Sequence, residues 1–149
     1  MRAHAEAAGA QIEVRRFAGT TRTAADAARE IGCDVAAIVK SLVFHADGEP
    51  VVVLCSGADR VDEARLAAAV GARGVRRATA EEARAATGFP IGGVAPFGHL
   101  RPVRVVADRA LLAHLTVWAA AGLPDAVFPV APADLVRLAG ADVADVATR

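Results

Sequence analysis

Lys40 is the only lysine in the chain, set against sixteen arginines. It interrupts an apolar run, Ala36-Ala37-Ile38-Val39-Lys40-Ser41-Leu42-Val43-Phe44. A compact ammonium on a flexible stem fits a tight pocket that a planar guanidinium would overfill. The competing reading is a strand lysine that alternates outward, its solitude an accident of an arginine-rich composition. A second candidate is the run from Gly88 to His99, with glycines at 88, 92, 93 and 98 and prolines at 90 and 96. Glycine permits positive φ and proline fixes φ nearby. Together they can turn successive backbone N–H groups into one concavity that receives an anion or a developing oxyanion. A plain wide turn is the alternative there.

Other chemistries are poorly served. His4, His45, His99 and His114 are widely spread and form no HExxH or paired Cys/His spacing, so neither a metal nor another cofactor is expected. His99, directly after the glycine-rich run, is the one histidine placed to serve a site. Ser41 and Ser56 are the only serines, and neither lies in GxSxG. No GxxxxGK[ST] is present, and the nearest GxGxxG-like spacing does not follow a strand. Cys33 and Cys55 form no CxxC pair; they read as free thiols in a reducing compartment.

These candidates must be positioned by recognisable elements. Residues 2 to 9 read as a helix and 12 to 17 as an alternating strand. Thr23 caps a helix over 24–31 that Gly32 closes. Strands at 36–46 and 51–55 flank Asp47-Gly48, which predicts a hairpin. A helix over 61–70 follows, then a short strand at 74–77. Thr79 and Glu82 form a capping box that opens a helix to Thr87. Strands near 102–107, 114–120 and 126–131, a helix over 132–138 and a tail strand near 143–146 complete the chain. Hairpins outnumber strand–helix–strand crossovers. The pattern predicts an α+β protein with a mixed, largely antiparallel, barrel-like sheet and flanking helices, not a doubly wound nucleotide fold.

Composition sets outer bounds. The 149 residues suit a single domain spanning 1–149. Formal net charge is zero, which argues against coating nucleic acid by bulk electrostatics but allows a local basic patch. Arg73, Arg76, Arg77, Arg101 and Arg104 are the candidates for such a patch. No apolar stretch reaches membrane-spanning length and the first residues lack the apolar core of an export signal, so a cytoplasmic protein without a membrane partner is expected.

The run Ile38-Val39-Lys40-Ser41-Leu42-Val43 resembles the "KTL" strand of the YbaK/prolyl-tRNA synthetase-associated domain family. Thr87-Gly88-Phe89-Pro90-Ile91-Gly92-Gly93-Val94-Ala95-Pro96-Phe97-Gly98 is similar to that family's "TG…GGxxPxG" loop. Similarity continues through Thr23 and the helix after it, Arg60-Val61-Asp62 and Asp134-Leu135, from about residue 12 to 146. The resemblance implies a free-standing aminoacyl-tRNA deacylase. Such an enzyme acts in trans on mischarged tRNA, often tRNA(Pro) carrying alanine or cysteine. It needs no cofactor, and its partners are the acceptor end of tRNA and, where one is needed, prolyl-tRNA synthetase; DNA is not among them. In the family's terms Lys40 holds the terminal adenosine or its phosphate. Gly92, Gly93, Pro96 and Gly98 shape the loop whose N–H groups receive the ester carbonyl. Phe17, Thr23, Ser41 and Val127 line the aminoacyl pocket, with His99 beside it.

The chain departs from the family at two points. Ser41 stands where threonine or asparagine is more usual. Val127 stands where cysteine-specific members carry aspartate and alanine-specific members histidine. An apolar pocket of this kind should accept alanyl or 2-aminobutyryl groups ahead of seryl or prolyl ones. Two other functions fit the residues: a non-catalytic module that binds tRNA or a synthetase, and a lysine enzyme that forms a Schiff base, which borohydride trapping would reveal.

Overall fold

The computed structural model describes residues 1–17 and 23–148. The elements run α1 (Arg2–Ala7), β1 (Arg15–Arg16), α2 (Ala24–Ile31), β2 (Val39–Ala46), β3 (Glu49–Ser56), β4 (Arg60–Val61), α3 (Glu63–Val70), β5 (Val75–Arg77), α4 (Ala80–Thr87), β6 (Arg104–Asp108), β7 (Val117–Ala120), β8 (Ala126–Val130), α5 (Pro132–Ala139), β9 (Asp142–Ala144) and β10 (Ala147–Thr148). Short 3₁₀ turns occupy Val35–Ala37 and Arg109–Ala113.

Local chemistry explains the boundaries. Thr23 Oγ1 accepts from the Asp26 N–H at 3.1 Å, and left-handed Gly32 (φ 83°) ends α2. Asp62 caps α3 by accepting from the Arg65 N–H, so that helix starts two residues later than the apolar pattern predicts. The freed Arg60–Val61 pair with β10 instead. The capping box of Thr79 and Glu82 forms in both directions. The strand predicted over 12–17 shrinks to Arg15–Arg16, because β8 offers it only Val127 and Ala126. The one predicted from 114 begins at Val117, because the buried Asp108 carboxylate accepts from Ala110 N–H and winds residues 109–113 into the 3₁₀ turn.

The central sheet has the order β5-β2-β3-β6-β9. Asp47 and Gly48 both take positive φ in the two-residue turn that joins β2 to β3, the geometry that matches strand twist. Crossovers make β3–β6 and β6–β9 parallel; β2–β3 and β2–β5 are antiparallel. A smaller sheet, β1-β8-β7, is antiparallel throughout. The expected mixed, largely antiparallel α+β architecture is present, but the barrel is not closed. β5 and β9 lie at opposite edges of the five-stranded sheet. Among the described residues the two sheets share one backbone bridge, the parallel one from Ile38 to Trp118, beyond which β2 and β7 meet only through side chains.

Alternation along β2 sorts the core. Val39 and Val43 pack with Val52, Leu54, Phe97 and Phe128 on one face of the sheet. Phe44 and Ala46 pack with Val51, Val53, Leu66 and Val146 on the other, with Leu42 against them. Lys40 shares a face with Leu42 and Phe44, and Ser41 shares one with Val39 and Val43. The third cluster, Phe17, Ala27, Ala28, Ile38 and Val127, joins α2 to the small sheet. Among the described residues no helix is long and apolar enough to cross a membrane.

Candidate functional site

β5 covers the edge of β2 only at Phe44, His45 and Ala46. Ahead of Val43, whose carbonyl still accepts from the Ala78 N–H, no strand among the described residues pairs with that edge of β2, and between it and β7–β8 lies a cavity of about 870 Å³. Its apolar wall is made by Phe17, Ala27, Ile38, Trp118, Ala126 and Val127. Lys40, Ser41 and Leu42 form the β2 side, Thr23 the start of α2, and Ile91, Gly92 and Val94 the glycine-rich loop. Consecutive β2 residues reach one cavity because it sits at the strand's edge and not over one face. Gly57 closes the floor; a Cβ there would lie 2.6 Å from the Val35 carbonyl, so the close approach of the 35–37 turn requires glycine.

A second cavity, about 380 Å³, lies beside the first and is lined by Lys40, Leu42, Phe44, Arg60, Val61, Glu63 and Arg77. Lys40, Leu42 and Arg77 border both cavities. Among the described residues, three cations and one carboxylate line the second, an excess of positive charge. The Arg77 guanidinium sits 5.5 Å from the centroid of the Phe44 ring, held by the ring's negative face. The Lys40 ammonium donates to the Asp59 carbonyl, which anchors it at the border of the two spaces.

Six of the ten sequence-derived site residues therefore line one cavity: Phe17, Thr23, Lys40, Ser41, Gly92 and Val127. The other four lie behind it. Gly93 is buried, gives its N–H to the Pro90 carbonyl at 2.9 Å, and has the Leu123 backbone within 2.8 Å of where a Cβ would stand. Pro96 is buried within the loop. Gly98, at φ 73°, has Met1 backbone where a Cβ would go. The His99 ring nitrogen Nε2 lies 2.7 Å from the Ala95 carbonyl, and the ring packs edge-on to Phe89. Burial lowers the His99 pKa from its ordinary 6.5, the largest influence on it.

Thr23 contributes its flank to the cavity while its hydroxyl is committed to the helix cap. Phe17 and Trp118 supply the aromatic bulk of the lining, while Phe128 is fully buried against Phe97. Of the five arginines proposed as a basic patch, Arg77 alone reaches the cavities. Arg76 clamps Glu82 through two bonds of 2.8 and 2.7 Å, and Arg104 faces Asp142. Sequence reasoning passed over Trp118 and gave Arg60 no site role, naming it only within the Arg60-Val61-Asp62 similarity. Trp118 is the single tryptophan, a rarity of the same kind that singled out Lys40. Among the described residues, no group of three or more His, Cys, Asp or Glu side chains is placed to hold a metal ion.

Comparisons with known proteins bear on the family and the fold. A solved structure described as a candidate trans-editing enzyme for prolyl tRNA synthetase superposes with a TM-score of 0.88 at 43% identity, covering 93% of this chain and 87% of that one. The uncharacterized protein YwhH of Bacillus subtilis is 30% identical over 124 residues, 83% of this chain and 78% of its own. A proline--tRNA ligase of Acidithiobacillus ferrooxidans is 36% identical over 91 residues, which is 61% of this chain but only 16% of the ligase. The family model of the aminoacyl-tRNA editing domain matches residues 18–138. The β2 edge, its lysine and the facing loop thus belong to a chain that is a member of the aminoacyl-tRNA editing domain family.

Proposed function

We propose that the chain is a hydrolase that cleaves the ester of mischarged tRNA in trans, as a single domain acting in the cytoplasm. The observation that carries this reading is the position of Lys40 between an apolar cavity and a cationic one. An aminoacyl ester has the same division, with a small side chain on one side of the bond and a phosphate-bearing nucleotide on the other. The apolar cavity would take the aminoacyl group. Arg60, Arg77 and Lys40 would hold the terminal nucleotide's phosphate.

In the reaction, water or the neighbouring ribose hydroxyl attacks the carbonyl carbon. The carbonyl oxygen becomes an oxyanion, and the bond to the ester oxygen of the ribose then breaks, leaving a ribose hydroxyl. Attack by water releases the amino acid directly; attack by the hydroxyl moves the acyl group to that oxygen, from which water must still remove it. Gly92 is the loop glycine on the cavity wall, and its N–H is assigned to the oxyanion together with the Lys40 ammonium. The ester is already activated, so positioning and charge stabilisation can supply much of the rate without a protein nucleophile. Such a hydrolase is useful because a synthetase pocket gains only ~1–3 kcal/mol of discrimination per missing methylene.

The apolar wall around Val127 favours alanyl and 2-aminobutyryl groups. Prolyl-tRNA synthetase is the partner that this substrate would suggest. A deacylation screen of alanyl-, 2-aminobutyryl-, cysteinyl-, seryl- and prolyl-tRNA, each on tRNA(Pro), tests the reading. Alanyl or 2-aminobutyryl ester should be cleaved fastest. Binding of every ester without cleavage would replace the hydrolase with a tRNA-binding module.

A further inference from the structure

We propose that Ser41 receives the α-amino group of the aminoacyl substrate; this rests on the aminoacyl-ester reading above. Ser41 Oγ is buried and has no hydrogen-bond partner among the described residues. Buried hydroxyls are nearly always satisfied, because desolvating one without a partner is unfavourable. The other hydroxyls near this end of the cavity are committed: Thr23 to the α2 cap, and Ser56 to the Ala36 carbonyl at 2.8 Å. Nothing holds the Ser41 rotor in its inward position. A rotation about its Cα–Cβ bond turns the oxygen toward a cavity that Ser41 already borders.

The main chain points the same way. The two-residue turn makes Ala46 and Glu49 a hydrogen-bonded pair. By alternation Lys40, Leu42 and Phe44 turn their N–H and C=O toward β3, while Val39, Ser41 and Val43 turn theirs to the opposite edge. The Val43 carbonyl bears this out by accepting from the Ala78 N–H at 3.0 Å on that edge. No strand among the described residues pairs with Ser41 there. Ser41 thus offers an acceptor carbonyl and a hydroxyl at one point of the wall. Among the described residues the cavity lining contains no Asp or Glu, and its charged residues are Lys40 and Arg77. An α-amino group entering it needs neutral oxygen acceptors, and Ser41 provides two.

The test uses two non-hydrolysable adenosine amides, 3′-alanylamino-3′-deoxyadenosine and its propionyl counterpart, which lacks only the amine. Dissociation constants are measured by NMR titration with wild-type protein, Ser41→Ala and Ser41→Thr, whose spectra also report folding. Wild type should prefer the alanyl compound about tenfold, the worth of one hydrogen bond to a charged or polar amine. Ser41→Thr should keep that preference, and Ser41→Ala, which keeps only the main-chain carbonyl, should lose most of it. Equal binding of the two compounds by wild type, no binding of either, or an undiminished preference in Ser41→Ala would overturn the proposal. The same samples are assayed on alanyl-tRNA: a Ser41-dependent preference without hydrolysis would sink the deacylase reading and leave the role of Ser41 standing.

Discussion

Lys40 does two things that arginine would do badly. Its stem lies on the face of β2 that packs toward Phe44, and its ammonium donates to a single carbonyl, that of Asp59, at the border of two cavities. A guanidinium spreads five donors across a plane and would intrude into both spaces. The rarity of Lys40 made it legible in the sequence. Trp118 was as rare, yet its role depends on a strand 80 residues away in the chain, through the bridge to Ile38, and no local pattern encodes that meeting. His99 shows the reverse case: its position after the loop suggested a site, while its ring is turned to the Ala95 carbonyl. Burial holds its pKa below the ordinary 6.5. As pH falls the unfolded chain therefore takes up the proton first, so the stabilisation from neutral His99 is present above about 6.5 and is lost as pH drops through the lower folded value. Thermal melts between pH 7.5 and 5 should show His99→Gln losing less stability on acidification than wild type. Parallel losses would mean that other groups govern the acid limb.

The elements were largely visible in the sequence because their signals are local. Caps at Thr23 and Thr79, stops at Gly32 and Gly88 and the Asp47-Gly48 turn all lie where the residue types predicted. Pairing was less visible. Nothing local says that β6 lies parallel to β3, or that β2 and β7 meet at one bridge, and these relations create the cavity. They also explain why the predicted barrel is open. Thr23 joins the two levels, as a cap and as a cavity residue. Thr23→Ala should lower stability by about 1 kcal/mol through loss of the cap. Thr23→Ser keeps the oxygen and should stay within a few tenths of wild type in chemical denaturation. If Thr23→Ala were as stable as wild type, the hydroxyl would not hold α2.

Over the whole molecule, zero net charge conceals an uneven distribution. Arg16, Arg29, Arg65, Arg76, Arg104, Arg109 and Arg137 each face a carboxylate. Lys40, Arg60 and Arg77 instead gather around one cavity with Glu63. The sequence could list the arginines but not sort them, because each pairing depends on the fold. A grip of this size should involve few phosphates. The logarithm of tRNA affinity should fall with the logarithm of salt concentration with a slope of roughly 2 to 3, at ~0.7–0.9 per contact. A much steeper slope would require a wider surface, drawing in arginines outside the cavity. A flat one would favour a small-molecule ester as substrate.

The most direct test of Lys40 as the pivot between the two cavities is single-turnover deacylation of alanyl-tRNA(Pro) by wild type, Lys40→Ala and Lys40→Arg, with folding checked by circular dichroism. Wild type should release free alanine; Lys40→Ala should be slower by about 10²–10³-fold, the usual cost of removing an oxyanion donor, with its melting curve unchanged. Lys40→Arg should recover little of that loss. A folded Lys40→Ala protein that cleaves the ester at the wild-type rate would contradict the role assigned to Lys40.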